Sequence, residues 1–245
     1  MRIDVLTIFP RMFDDVLDTS IIKRAREAGV VDIVMHDVRR FTHDRRRTVD
    51  DRPYGGGPGM VMRPEPIFEA VEAIAAGRPR RGALVKKTRA ARPGGKPLVI
   101  LLSPSGEPFT QQVAQALSAS DWLLLICGHY EGVDERVRQA LVDREISIGD
   151  YVLTGGELPA MVVMDAVTRL LPGALGDPES STDESFSRGW LEYPQYTRPP
   201  VYRGLAVPEI LRSGNHGQVA RWRRQMAHER TAARRPDLYV RLQKE

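Results

Sequence analysis

Between residues 97 and 171 one local design occurs three times: a short run of β-favouring residues, a loop rich in glycine or proline, and a helix. The runs at 97–102 (PLVILL) and 122–126 (WLLLI) are apolar throughout, the pattern of strands buried on both faces of a parallel sheet. The third unit, 147–161 (SIGDYVLTGGELPAM), sets β-type residues from Ile146 to Leu153 around Gly149, then turns at Gly155-Gly156. Glu157 and Pro159 suit a first helical turn, and the apolar run 160–171 continues the helix. In an open parallel sheet ligands bind at the carboxyl ends of the strands, so SPSG, CGHYEG and GDYVLTGG are expected to line one crevice. The plainer alternative is three ordinary strand-to-helix connections.

The start of the chain agrees with this class. A strand at 2–9 stops at Pro10, an interrupted amphipathic helix at 12–28 ends at Gly29, and 30–38 returns to a strand. The segment 39–62 has no periodicity and is dense in Arg, Asp and Gly, which predicts a long functional loop. Its arginines suit phosphates, and Gly55-Gly56-Gly57 with Gly59 permit close backbone approach. No Gly-Lys-Ser/Thr follows these glycines and none of the three later loops carries GxGxxG, which disfavours a P-loop and a Rossmann dinucleotide site. A pocket of backbone amides with few charged side chains suits an adenosine-like group better than a triphosphate. A helix is predicted at 64–76, a mobile basic connection at 77–96, and helices at 111–118, from the CGHYEGVDER segment through Val142, at 208–212, and from Gly217 to Arg235. Asn215 caps the last of these and Pro236 ends it, with Trp222 and Met226 as core residues.

Charge is unevenly distributed along the 245 residues. From Arg198 to the end there are eleven Lys or Arg against four Asp or Glu, a net of +7, whereas the chain as a whole carries +4. A basic tail favours a polyanionic partner, with a solvated helical surface as the alternative. No apolar run reaches the ~20 residues of a membrane span, and the start lacks a signal peptide's pattern, so a cytoplasmic protein is expected. One cysteine, Cys127, excludes an intrachain disulfide and disfavours a cysteine-based zinc site.

Six motifs taken together resemble the bacterial tRNA (guanine-N1)-methyltransferases, the TrmD family. They are YGGGPGM at 54–60, LSPSG at 102–106, CGHYEGVDER at 127–136, SIGDYVLTGGELPAM at 147–161, YTRP at 196–199 and SGNH at 213–216. The resemblance implies an α/β fold whose parallel sheet carries a deep trefoil knot of the SPOUT class, plus a small all-α C-terminal domain. The implied limits are a knotted S-adenosyl-L-methionine domain at 1–175, a flexible linker at 176–193 and a helical tRNA-binding domain at 194–245. It further implies a homodimer and methylation of guanosine-37 of tRNA, with no DNA or membrane partner and magnesium left open. The implied donor pocket takes Leu101, Leu102, Ser103 and Pro104 from the first loop and Gly128, Tyr130 and Glu131 from the second. The third contributes Ser147, Ile148, Gly149, Asp150, Tyr151, Val152, Leu153, Gly155, Gly156 and Pro159. On the tRNA side stand Arg39, Arg45, Arg46, Asp50, Arg52, Tyr54 and Gly57 in the long loop, with Arg221 and Arg224 in the tail.

Guanine N1 carries a proton, so the reaction needs a carboxylate to remove it and a cation or donor to stabilise charge developing on O6. Arg169 resembles the family's catalytic arginine. The family typically has Asp before Ser-Phe in its acidic linker, whereas this chain reads Asp183-Glu184-Ser185-Phe186, so Glu184 stands at the matching position with Asp183 beside it. Glu131 is a further carboxylate of the crevice, acting on guanine or the sulfonium, or else only capping the next helix. A ribose 2′-O-methyltransferase on the same knot and a non-enzymatic RNA-binding protein are the rival readings.

Overall fold

The computed structural model describes residues 1–77, 94–176, 184–187 and 189–242. They divide into two compact units, Met1–Gly176 and Asp177–Glu245.

The first unit is built on five parallel strands: β1 (Arg2–Thr7), β2 (Asp32–Asp37), β5 (Leu98–Pro108), β6 (Trp122–Cys127) and β7 (Arg144–Ser147), in the order β2-β1-β6-β5-β7. Because successive side chains alternate across a sheet, each strand feeds two cores. Ile3, Val5, Ile100, Leu102, Leu123 and Leu125 face one side and pack with α2 (Ser20–Glu27), α4 (Gln111–Ser118) and α6 (Glu157–Thr168). Leu6, Val99, Leu101, Trp122, Leu124 and Ile126 face the other and pack with α3 (Pro64–Ala75) and α5 (Glu135–Leu141). The expected helix at 12–28 is a 3-10 turn, Pro10–Phe13, followed by α1 (Asp14–Leu17) and α2. The connection expected to be mobile lies mostly outside the described residues.

One polar cluster interrupts the second core. Asp4, fully buried, accepts hydrogen bonds from Trp122 Nε1 at 2.6 Å and from Arg2 at 2.6 and 2.8 Å, with His36 Nε2 2.6 Å away. Burial pushes the Asp4 carboxyl up, but hydrogen bonds from His36 and Arg2 outweigh it and hold the group below its ordinary value.

Two expectations about the loops change. LSPSG is not a turn leading into a helix. Leu102 and Glu107 both take Ile146 as partner, so residues 103–106 leave the ladder and return to it within β5. Gly106 crosses β7 so closely that a Cβ there would lie 2.6 Å from the Ile146 carbonyl carbon. The third strand does not run to Leu153 but stops at Ser147, where Gly149 takes φ +151° beneath the Tyr151 ring and the chain becomes irregular until α6.

The second unit holds α7 (His216–Arg234), α8 (Pro236–Leu242) and a hairpin of β8 (Val201–Tyr202) with β9 (Leu205–Ala206). Asn215 caps α7, its Oδ1 accepting from Gln218 N at 3.1 Å, while Pro236 opens a further helix after α7 has ended. Trp222 and Met226 are half-buried rather than core, and Thr231 is the buried residue of α7. Part of the predicted linker is structured: Leu191 N donates to Thr231 Oγ1 at 2.9 Å and Trp190 stacks on His228 at 3.8 Å between centroids, tying these residues to α7.

Candidate functional site

The 103–106 excursion of β5 and the loops after β6 and β7 meet in one cleft. Its lining takes Leu101, Leu102, Ser103 and Pro104 from the first loop and Gly128, Tyr130 and Glu131 from the second. From the third it takes Ser147, Ile148, Gly149, Tyr151, Val152, Leu153, Gly155, Gly156 and Pro159. Of the residues expected here only Asp150 is outside the lining, exposed on the turn.

Glycine is required where backbones touch. Gly156 N donates to Gly128 O at 2.7 Å, and a Cβ on Gly156 would stand 2.8 Å from Cys127 Cα and 2.9 Å from Gly128 N. A Cβ on Gly155 would collide with the Glu157 carboxylate and the His129 ring. These contacts make the turn an integral wall of the cleft, with Gly155 bridged to His129 as an isolated antiparallel pair.

Beneath that turn Glu157 is 2% exposed, accepts from Thr7 Oγ1 at 2.7 Å, and lies 3.7 Å from His129 Nδ1. Burial and the nearby Glu157 charge push the thiol of Cys127 well up, and its backbone packs directly beneath Gly156.

The long loop reaches the same cleft. Residues Asp50–Asp51 (β3) pair with Val61–Met62 (β4), and the second strand zips onto the turn before α5: Glu131 N donates to Met60 O at 2.9 Å, Met62 N to Gly132 O at 2.9 Å and Asp134 N to Met62 O at 3.0 Å. This brings Asp50 next to Tyr130. Burial raises the Tyr130 phenol, and the charge of Asp50 and a hydrogen bond to it raise it further. Glu131 folds over Gly59, while the N-cap of α5 is Asp134, which accepts from Arg136 N at 3.0 Å; Glu131 is not the helix cap.

The cationic candidates divide. Arg39 is half-buried, donating to Ile8 O and lying 5.6 Å over the Phe9 ring. Arg45, Arg46, Arg52, Arg221 and Arg224 are exposed, as are Gly57 and Tyr54, the latter completely. Arg169 is the half-buried C-cap of α6. Glu184 belongs to the second unit, half-buried, with its carbonyl accepting from Ser187 Oγ at 2.6 Å; Asp183 lies outside the described residues.

Sequence reasoning missed six residues of the lining, Gly132, Val133, Ile146, Thr154 and the two ionisable side chains His129 and Arg138. His129 was hidden inside a motif read for its glycines. For Arg138 the available signal was its i,i+3 spacing from Glu135 on one helix, which says nothing of the cleft. Among the described residues no cluster of three or more His, Cys, Asp or Glu could hold a metal ion, and no helix is long and apolar enough to cross a membrane.

The chain matches the family model described as tRNA (Guanine-1)-methyltransferase TrmD over residues 1–241. It is 61% identical over 242 residues to a protein of Moorella thermoacetica named tRNA (guanine-N(1)-)-methyltransferase, covering 99% of this chain and 91% of the relative. Proteins of the same name from Chloroflexus aggregans and Dehalococcoides mccartyi are 57% and 52% identical, with 98% and 99% of this chain and 88% and 92% of the relatives covered.

Proposed function

The chain belongs to the tRNA (guanine-1)-methyltransferase family, and on that premise we propose that it transfers the methyl group of S-adenosyl-L-methionine to N1 of guanosine-37 in tRNA, beside the anticodon. The observation that carries this reading is the convergence of three glycine- and proline-bearing loops on one cleft at the strand ends. Apolar side chains such as Leu102, Ile148, Leu153 and Pro159 alternate there with backbone amides and carbonyls, a lining that fits a flat purine and a ribose.

When bound, the donor supplies a methyl group on a positively charged sulfur. The protein's work is alignment, exclusion of water and management of one proton. The N1 proton passes to a carboxylate, Glu184 or Asp183, as the N1–methyl bond forms and the sulfur keeps the electron pair of the bond it loses. Arg169 stabilises the negative charge that develops on O6. Asp50, beside Tyr130 at the cleft, is suited to accept hydrogen bonds from an extruded guanine, while Glu131 balances the positive sulfur. Arg45, Arg46 and Arg52 with Arg221 and Arg224 supply phosphate contacts.

The family reading also implies that the strand-end loops form the trefoil knot, that the enzyme works as a homodimer in the cytoplasm, and that the second unit holds the tRNA. Incubation of purified protein with unmodified tRNA and methyl-labelled donor, followed by digestion to nucleosides, tests the proposal. The expected product is 1-methylguanosine at one position. A 2′-O-methylated nucleoside, or no transfer, overturns it.

A further inference from the structure

Four residues of β5, 103–106, have no partner in the ladder with β7. Because Leu102 and Glu107 share Ile146 as partner, 103–106 are held by side-chain bonds in place of the ladder. The hub of those bonds is Arg138 on α5. Its Nη1 donates to Ser105 Oγ at 2.9 Å and to the Glu145 carboxylate on β7, and its Nη2 donates to Ser103 Oγ at 3.3 Å. Its Nε lies 3.5 Å from Glu135 Oε2. The serines complete the ring: Ser105 Oγ donates to Glu145 Oε1 at 2.9 Å, and the Ser103 and Ser105 hydroxyls are 2.9 Å apart. Ser105 N donates back to Ser103 Oγ at 3.2 Å.

One guanidinium therefore joins the excursion of β5 to the helix that follows the second loop and to the strand that leads into the third. Ser103, Pro104 and Arg138 itself all line the cleft, and among the described lining residues Arg138 is the only Lys or Arg. A planar guanidinium holds its five donors in a fixed, spread fork that reaches two hydroxyls and a carboxylate on separate elements, whereas an ammonium presents three donors from one point.

We propose that Arg138 is a positioning residue for the methyl donor: it keeps the 103–106 wall in its binding shape before the donor arrives. The proposal rests on the reading that this cleft takes S-adenosyl-L-methionine. Ordering a backbone segment costs conformational entropy, so a wall that must be ordered during binding weakens affinity in proportion to the time it spends misformed. Once the donor is bound the wall is in place, and the chemical step proceeds as before.

The test uses the full-length protein with Arg138→Met and Arg138→Lys, and with Ser103→Ala/Ser105→Ala as an independent cut through the same ring. Donor binding is titrated without tRNA, and steady-state kinetics are run with tRNA. The expected result is a rise of about tenfold in donor Kd and KM for Arg138→Met, in line with the loss of preorganisation. The kcat and the KM for tRNA stay within about twofold. Arg138→Lys falls between, because it retains the Glu145 contact alone, and the serine pair reproduces the donor effect. Unchanged donor affinity in Arg138→Met and in the serine pair overturns the proposal, as does a fall in kcat at unchanged donor KM. Failure of the wild-type protein to bind S-adenosyl-L-methionine saturably would instead remove the reading beneath it, and the wild-type titration distinguishes the two.

Discussion

The Thr7 hydroxyl donates a 2.7 Å hydrogen bond to the Glu157 carboxylate, joining the end of β1 to the first turn of α6 across 150 positions of sequence. Glu157 is sealed from solvent, so this bond is what makes a polar side chain tolerable there. Replacing Glu157 with Ala leaves the Thr7 hydroxyl and a cavity behind. Urea unfolding is expected to show a loss of about 2–4 kcal/mol, against about 1–2 kcal/mol for Glu157→Gln, which keeps an acceptor for Thr7.

Gly156 and Gly128 approach each other as closely as backbone permits, but only one of them lacks room for a methyl group. A Cβ on Gly128 would meet Val133 Cγ1 at 3.7 Å, an ordinary contact, whereas one on Gly156 would strike the Cys127 backbone at 2.8 Å. Gly156→Ala is therefore expected to abolish measurable donor binding and to destabilise the fold by about 1–3 kcal/mol. Gly128→Ala is expected to keep wild-type stability within about 0.5 kcal/mol. Calorimetric titration and thermal unfolding of the two variants check the contrast.

Asp4 makes stability depend on acid. Its folded carboxyl titrates below the ordinary value of 3.8, so its contribution is complete above that value and is lost as pH falls through the lower folded one. Asp4→Asn, which removes the charge facing Arg2 and His36, is expected to cost about 3 kcal/mol at neutral pH. The gap between wild type and variant should narrow below pH 3.8, measured as unfolding midpoints at pH 7 and at pH 3.

If a carboxylate of the 183–184 pair is the proposed proton acceptor, its loss separates transfer from donor binding. Glu184→Gln with Asp183→Asn is expected to leave S-adenosyl-L-methionine affinity unchanged while transfer to tRNA falls by roughly 10²–10⁴, the contribution of a general base. Full activity in that double variant would remove the proton-transfer step from the 183–184 segment. Single-turnover assays at saturating donor read the effect directly.

Apolar runs at 97–102 and 122–126 and the glycine pair at 155–156 by themselves determined that the chain forms a buried parallel sheet with ligand loops at the strand ends. Those signals are local, since strand burial, turn propensity and helix caps are set within a few residues. The motif set also located 16 of the 22 residues that line the cleft. Tertiary structure alone decided that Asp50 stands beside Tyr130, that Thr7 meets Glu157, that β5 leaves and rejoins its ladder at Ile146, and that Arg138 ties the β5 excursion to α5 and β7. Each of these depends on the order β2-β1-β6-β5-β7, which brings distant segments into register through side-chain packing that no local periodicity records.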